Sequence, residues 1–282
     1  MQKHYIIREM TRQEVDIAVD WAAAEGWNPG LNDADCFYAA DPNAFLVGLY
    51  RNEPVATISV VRYGNFFGFV GFYMVKPEYR GKGYGLQIWN AGLAKLSGRT
   101  IGLDGVVEQQ SNYKKSGFSL AYRNIRYQGF GGGSFPSDSG VIPLSSIPLD
   151  DVFAYDQPFF SEGRRQFLQY WIKQSHSTAL GIQENGRLVG YGVLRACRLG
   201  YKIGPLFADS PELAERLFRV LKANVPVDAP VFLDTPAVNS AAVDLAERYN
   251  LTAMFETARM YRGRVPRLPI DRLFGVTTFE LG

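Results

Sequence analysis

Cysteine is scarce in this sequence. There are two in 282 residues, Cys36 and Cys197, which is too few for a disulfide framework, and both read as reduced, buried small hydrophobes. Long apolar runs are missing too. No stretch reaches the ~18 residues of a membrane span, and residues 1–8 lack the apolar run of a signal peptide. The expected location is the cytoplasm, with no membrane partner. Charge of one sign is not in excess either: 30 Lys and Arg face 28 Asp and Glu, for a net charge of +2 and no block of like charges. A nucleic-acid partner would call for a basic stripe, so none is expected. What is present is the balance of a soluble globular protein, 46% hydrophobic and 21% charged. Aromatics reach 14%, enough for two large cores or an aromatic-lined pocket. The length suits two α/β units of roughly 140 residues each.

The chain divides at residues 129–140, where five glycines, three serines and a proline fall within twelve residues. No Lys-Ser/Thr pair follows these glycines, so they read as a linker rather than a phosphate loop. The expected units are 1–128 and 141–282. They resemble each other: residues 52–62 align with 185–195 at an offset of 133, and Leu103-Asp104 meets Leu233-Asp234 at an offset of 130. In the first unit, strands are expected at 5–8, 45–50, 55–62, 66–75, 100–106 and 118–127. Helices are expected through Val15, Ile17, Ala18 and Trp21, from about Gly83, and near 111–115. The second unit repeats this order, with helices at 165–172, 210–223 and 240–249 and strands at 178–183, 188–195, 201–208, 231–234 and 254–262. This order predicts an α/β (α+β) fold in which each unit is a mixed, mostly antiparallel sheet flanked by helices.

One segment carries chemistry. A strand ends at Val75, and Pro77, Tyr79 and Arg80 lead into glycines at 81, 83 and 85 that open a helix. The first N–H groups of a helix lack internal partners and carry the positive end of its dipole, and glycines let an anion come close to them. Arg80 and Lys82 add positive charge. A strand ending Val-x-Pro-x-Tyr-Arg, followed by Gly-x-Gly-x-Gly, resembles the acetyl-CoA motif of the GNAT superfamily of N-acetyltransferases. Asn112 and Tyr113, with Gly117-Phe118 following, resemble that superfamily's later motif.

The resemblance implies two GNAT-like domains and acetyl-CoA as co-substrate, without a metal. Arg80, Gly81, Lys82, Gly83, Tyr84 and Gly85 would wrap the pyrophosphate. Met74 and Val75, on a strand splayed from its neighbour, would pair with the pantetheine arm, and Asn112 would lie beside the cofactor. Tyr113 would protonate the departing thiolate, a group whose ordinary pKa near 8.5 makes a proton donor useful. A primary amine, expected on a small molecule, would attack directly. Asp104 is a candidate for taking its proton. Trp27, Asn28, Tyr73, Glu108 and Asp234 are candidates for the acceptor pocket, with Asp234 and Asp156 reaching across from the second unit. Glu25, Asp33 and Asp35 are further acidic candidates. At the repeat offset Arg80, Gly83, Gly85 and Tyr113 become Leu213, Arg216, Phe218 and Ala246, so the second unit is expected to be a degenerate copy without a working site. A non-catalytic acyl-CoA sensor and a transferase using another acyl donor remain alternatives. Nothing in the sequence sets an oligomeric state.

Overall fold

The computed structural model describes residues 4–134 and 140–282. The first half runs β1 (Tyr5–Glu9), α1 (Arg12–Ala24), α2 (Asp33–Ala40), β2 (Phe45–Tyr50), β3 (Glu53–Tyr63), β4 (Phe67–Val75), α3 (Tyr84–Lys95), β5 (Thr100–Val106), α4 (Gln110–Lys115) and β6 (Ser119–Phe130). The second half runs β7 (Val141–Pro143), α5 (Leu149–Asp156), α6 (Arg165–Trp171), β8 (Ser177–Glu184), β9 (Arg187–Ala196), β10 (Tyr201–Ala208), α7 (Pro211–Ala223), β11 (Pro230–Pro236), α8 (Ser240–Arg248), β12 (Thr252–Arg262) and β13 (Leu273–Gly275). Local chemistry explains many of the boundaries. Thr11 closes a capping box with Glu14 at the start of α1. Ser210 caps α7 through the Leu213 N–H, with Pro211 in the first turn. The β2–β3 turn places Arg51 and Asn52 in the left-handed region, and the β8–β9 turn does the same with Asn185 and Gly186.

The strands form one sheet in the order β1-β2-β3-β4-β5-β12-β6-β11-β10-β9-β8-β7, with β13 attached to β10. Each strand in one arm matches the strand six positions later in the other, so the two halves are related by a pseudo-twofold between β12 and β6. The last strand of each half has crossed over. β6 leaves its own half to pair with β11, and β12 leaves the second half to pair with β5. β6 and β12 then run antiparallel to each other at the centre. Gly129 and Phe130, expected to open the linker, are the last residues of β6, and residues 135–139 of that segment lie outside the described residues.

Three cores hold this arrangement. One lies under α3, built on Ile58, Val60, Ile88, Trp89 and Met260. Its counterpart lies under α7 and α8, built on Leu217, Leu221, Leu233 and Leu245. The third belongs to both halves: α2 packs on α6, and Phe37 stacks on Trp171 with centroids 6.0 Å apart. The chain beyond β12, which carries no expected element, threads into this third core. Val276, Thr277, Thr278, Phe279, Glu280, Leu281 and Gly282 are all buried.

Candidate active site

β4 and β5 run parallel and paired only as far as Val70 and Leu103. Beyond that point they part. The pairing of β4 with β3 slips between Thr57 and Ser59, opposite Phe72. Phe72 takes a left-handed backbone (φ 47), rare for a bulky residue and worth roughly 1–3 kcal/mol of strain. Its ring offsets that cost by packing edge-on to Phe37, 5.5 Å between centroids, and its carbonyl accepts from the Thr57 hydroxyl at 2.8 Å. The slot between the separated strands is a cavity of about 600 Å³ lined by residues 70–75 of β4 and residues 103–106 of β5.

The glycine turn stands at the mouth of this slot. Gly81 (φ 75) and Gly83 (φ 82) adopt conformations that favour glycine, and a Cβ on either would point into open space. Gly85 is required for the opposite reason: a Cβ there would lie 2.9 Å from the Tyr73 hydroxyl and 3.0 Å from Val75. Gly83 caps α3, so the free N–H groups of that helix open onto the cavity's rim. Arg80 is half-exposed; it donates to the Val75 carbonyl at 2.9 Å and pairs with Glu25 at 2.5 Å. Lys82 lies over the Tyr79 ring, exposed to solvent. Tyr84 is buried among Tyr5, Tyr50 and Tyr79 and holds the turn from behind.

Tyr113 projects from α4 into the cavity between Trp89 and β5, its ring 5.6 Å from that of Trp89. Gly105 makes room for it, since a Cβ there would collide with the Tyr113 ring. Burial, and then the neighbouring Tyr73, push the Tyr113 hydroxyl well above the ordinary phenol range, so it is a protonated donor at any working pH.

The structure brings Met74, Val75, Arg80, Gly81, Gly83, Gly85, Tyr113, Trp27 and Tyr73 together around one cavity. Other expected site residues stand elsewhere. Asn112 is exposed and bonded to Gln109 at 2.7 Å. Asn28 exchanges two hydrogen bonds with the backbone of Leu199, tying the halves together. Glu108 is exposed and away from the cavity wall. Asp33 is buried against Arg195, Asp35 pairs with Arg12 on the surface, and Asp156 is buried against Arg164 and Tyr191.

Two further expectations need correction. The Asp104 side chain is sealed, with no solvent exposure, and bonds to Arg259 at 2.5 and 2.8 Å and to Asn124 at 2.8 Å. What faces the cavity is its backbone, so its carboxylate has no path to an incoming amine. Asp234 is sealed in the same way by Arg126, at 2.6 Å to each oxygen, and does not line the cavity. Burial opposes its charge, but Arg126, Lys202 and Arg195 together hold its carboxyl below the usual range.

The sequence reading missed the contribution of the second half. Phe255 and Thr257 from the exchanged β12, and Phe279 and Glu280 from the terminal segment, line the cavity of the first half. Gly71 marks how closely that segment passes, because a Cβ there would collide with the Glu280 carbonyl oxygen. The closing run of apolar and threonine residues from Leu273 to Leu281 was the available signal.

The second half has the corresponding slot, and it is filled. β10 and β11 pair in parallel only from Tyr201 to Ile203. β13 then lies along β10, with Leu206 opposite Gly275 and Phe207 opposite Leu273, and the Val276 N–H donates to the Asp234 carbonyl at 2.7 Å. The chain itself occupies the position that stays open in the first half. At its mouth the capped start of α7 replaces the glycines, with Leu213, Leu217 and Phe218 buried. Among the described residues no cluster of three or more His, Cys, Asp or Glu could hold a metal, and no helix is long and apolar enough to cross a membrane.

Comparison with known proteins agrees with this architecture. Residues 9–118 match the acetyltransferase (GNAT) family and residues 152–275 match an acetyltransferase (GNAT) domain. The chain is 31% identical to the holothin acyltransferase of Pseudoalteromonas sp. (strain SANK 73390) over 284 residues, covering 100% of this chain and 97% of that one. It is 26% identical to an uncharacterized N-acetyltransferase, YitH, of Bacillus subtilis (strain 168), over 62% of each chain. In fold, it is similar to a putative acetyltransferase from Pyrococcus horikoshii, with a TM-score of 0.85 at 24% identity over 99% of this chain and 96% of that one. It is also similar to a tandem GNAT protein from the clavulanic acid biosynthesis pathway, with a TM-score of 0.59 at 13% identity over 93% and 99%. With an open slot and glycine turn in one half and a filled slot in the other, this chain belongs to the GNAT family as a tandem-GNAT acyltransferase with a degenerate second copy.

Proposed function

We propose that the first half transfers an acetyl group from acetyl-CoA to a primary amine on a small molecule, by direct attack of the amine. The observation that carries this reading is the contrast between the two slots: one open with a glycine-lined helix start at its mouth, the other closed by β13. The residues present fit coenzyme A. The N–H groups of the turn at Gly81, Gly83 and Gly85, with Arg80 and Lys82, would hold its pyrophosphate, and the edge of β4 that has parted from β5, at Met74 and Val75, would receive its pantetheine arm.

Acetyl-CoA supplies the activated thioester. The remaining work falls to the chain. A β4 backbone N–H near the bend at Phe72 would favour charge developing on the thioester oxygen. Tyr113 would give its proton to the departing sulfur, helped by an environment that keeps it protonated. The cysteines take no part: both are buried away from the cavity.

Calorimetric titration with acetyl-CoA tests this reading, using the wild-type protein beside Gly83→Glu/Gly85→Glu. One-to-one binding lost in the variant, with coenzyme A thiol released when amines are added, is the expected result. No binding, or two sites per chain, overturns it. Binding without thiol release from any amine would support an acyl-CoA sensor instead.

A further inference from the structure

Three acidic residues are among those that line the cavity: Glu25, Asp104 and Glu280. Glu25 is engaged by Arg80 at the mouth and Asp104 by Arg259 within the sheet. Glu280 differs from both. It is 4% exposed, its side chain accepts a hydrogen bond from the Thr278 hydroxyl, and it forms no ion pair among the described residues. The terminal segment lays the Glu280 backbone carbonyl against Gly71, beside the bent Phe72, where β4 and β5 begin to part, and the residue lines the cavity there.

Its surroundings are apolar and aromatic. Trp27, Phe72, Leu103, Phe255 and Phe279 share the wall. The Phe255 and Phe279 rings are fixed from behind by the Arg126 guanidinium, 4.8 and 5.1 Å from their centroids. Thr257 adds a buried hydroxyl with no partner among the described residues. The charged groups facing Glu280 from other elements are Arg126 on β6 and Arg195 on β9, both buried: Asp234 engages Arg126 through two nitrogens, while Asp33 engages Arg195 through Nε alone and its two Nη atoms have no hydrogen-bond partner among the described residues. A polycation entering this cavity would find one free carboxylate and bury its other charges unpaired, which is costly. An amine carried on a flat apolar body has no such cost.

Resting on the acetyl-transfer reading above, we propose that the acceptor is a primary amine on a compact aromatic or apolar body, and that Glu280 is the base that receives its proton. The ammonium gives one proton to the Glu280 carboxylate. The freed nitrogen forms its bond to the thioester carbon as the carbon–sulfur bond breaks. The sulfur takes a proton from Tyr113, and the second proton that the nitrogen loses as the amide forms restores Tyr113. The sum is ammonium plus thioester giving amide, thiol and one proton released from Glu280 to water. A residue of the second half would thus complete the site of the first.

The experiment measures thiol release with tryptamine, 2-phenylethylamine, spermidine and glucosamine, for wild type, Glu280→Gln and Glu280→Asp, beside acetyl-CoA binding by calorimetry. The aromatic amines are expected to exceed spermidine and glucosamine by about tenfold or more in kcat/KM. Glu280→Gln is expected to bind acetyl-CoA within about twofold of wild type yet lose about 100-fold in kcat/KM near pH 7, the deficit shrinking as pH approaches the amine's own pKa. Glu280→Asp keeps the charge and should fall between the two, and it serves if the glutamine variant does not fold. Turnover confined to spermidine or glucosamine, or none with either aromatic amine, overturns the acceptor class. A glutamine variant within about threefold of wild type at every pH overturns the role of Glu280. Failure of wild type to bind acetyl-CoA is a different result: it removes the acetyl-transfer reading and this inference with it.

Discussion

Asp104 on β5 and Arg259 on β12 face each other across neighbouring strands and join through two hydrogen bonds of 2.5 and 2.8 Å, although 155 residues separate them. The pseudo-twofold repeats the arrangement with Asp234 on β11 and Arg126 on β6. Each half therefore supplies an aspartate to the arginine that the other has sent across. The exchange of β6 and β12 is locked by two buried ion pairs, and removing one partner strands a charge in the sheet.

Arg259→Ala and Arg126→Ala are each expected to destabilise the protein by about 3–5 kcal/mol. Replacing a whole pair with apolar residues, as in Asp104→Leu/Arg259→Met, should cost much less than either single loss, since no unpaired charge remains. Denaturant midpoints of the single and double variants measure both differences. A double variant as unstable as the sum of its singles would mean that the pairs do more than satisfy each other.

The passage of the terminal segment beside β4 gives a second test. A methyl group at Gly71 would meet the Glu280 carbonyl, a backbone atom that can yield only if the segment moves, and would lie 3.0 Å from the Ser59 hydroxyl. Gly71→Ala is expected to cost about 1–3 kcal/mol, the usual price of overpacking. Hydrogen exchange locates the effect: the Val276 amide, bonded to the Asp234 carbonyl, should lose protection, while amides of α3 keep theirs. Unchanged protection at Val276 would show that β4 yields instead.

The order of strands and helices was legible because it depends on local signals. Short apolar runs mark β2 and β3, the Ser210-Pro211 start marks α7, and the spacing of glycines 81, 83 and 85 marks the entry to α3. What was not legible depends on partners distant in the chain. β6 carries the pattern of a strand, but nothing in that pattern says that it pairs with β11 rather than β5. Asp33 and Asp234 look like acceptor contacts in a sequence, which shows a carboxylate and not the arginine beside it; the fold buries them against Arg195 and Arg126. β13 has three residues, and the segment after it owes its order to the core it enters, so Phe279 and Glu280 carried no recognisable motif. The short helix α2 was missed for a similar reason: it is held by its packing on α6 more than by its own periodicity.

The two thiols should be inert while the protein is folded. Cys36 is 1% exposed, and burial, together with the nearby Asp33 carboxylate, pushes its thiol up to about 12. Burial also raises Cys197. The thiolate is the reacting species, so an aromatic disulfide reagent near pH 8 should find no reactive thiol in the native protein and two after denaturation. Rapid native labelling of either would place that cysteine in a segment that opens easily.

Tyr113 makes the sharpest prediction for the chemical step. Its hydroxyl is raised by burial and by Tyr73, so the proton it would donate is held through the whole neutral and mildly basic range. Loss of that proton cannot limit turnover until pH rises past the ordinary phenol value of about 10. Any fall in kcat below that point must come from another group. Tyr113→Phe keeps the ring against Trp89 and removes only the donor, so acetyl-CoA affinity should hold while kcat drops by about 10²–10⁴-fold. The size of the drop should depend on the leaving group. A thiol as basic as coenzyme A needs the proton, whereas the acidic thiol of an aryl thioester departs without it. Acetyl transfer from S-phenyl thioacetate should therefore lose far less on substitution than transfer from acetyl-CoA. Equal losses with both donors would assign Tyr113 to holding the cavity's shape, and would leave the departing sulfur to find its proton in water.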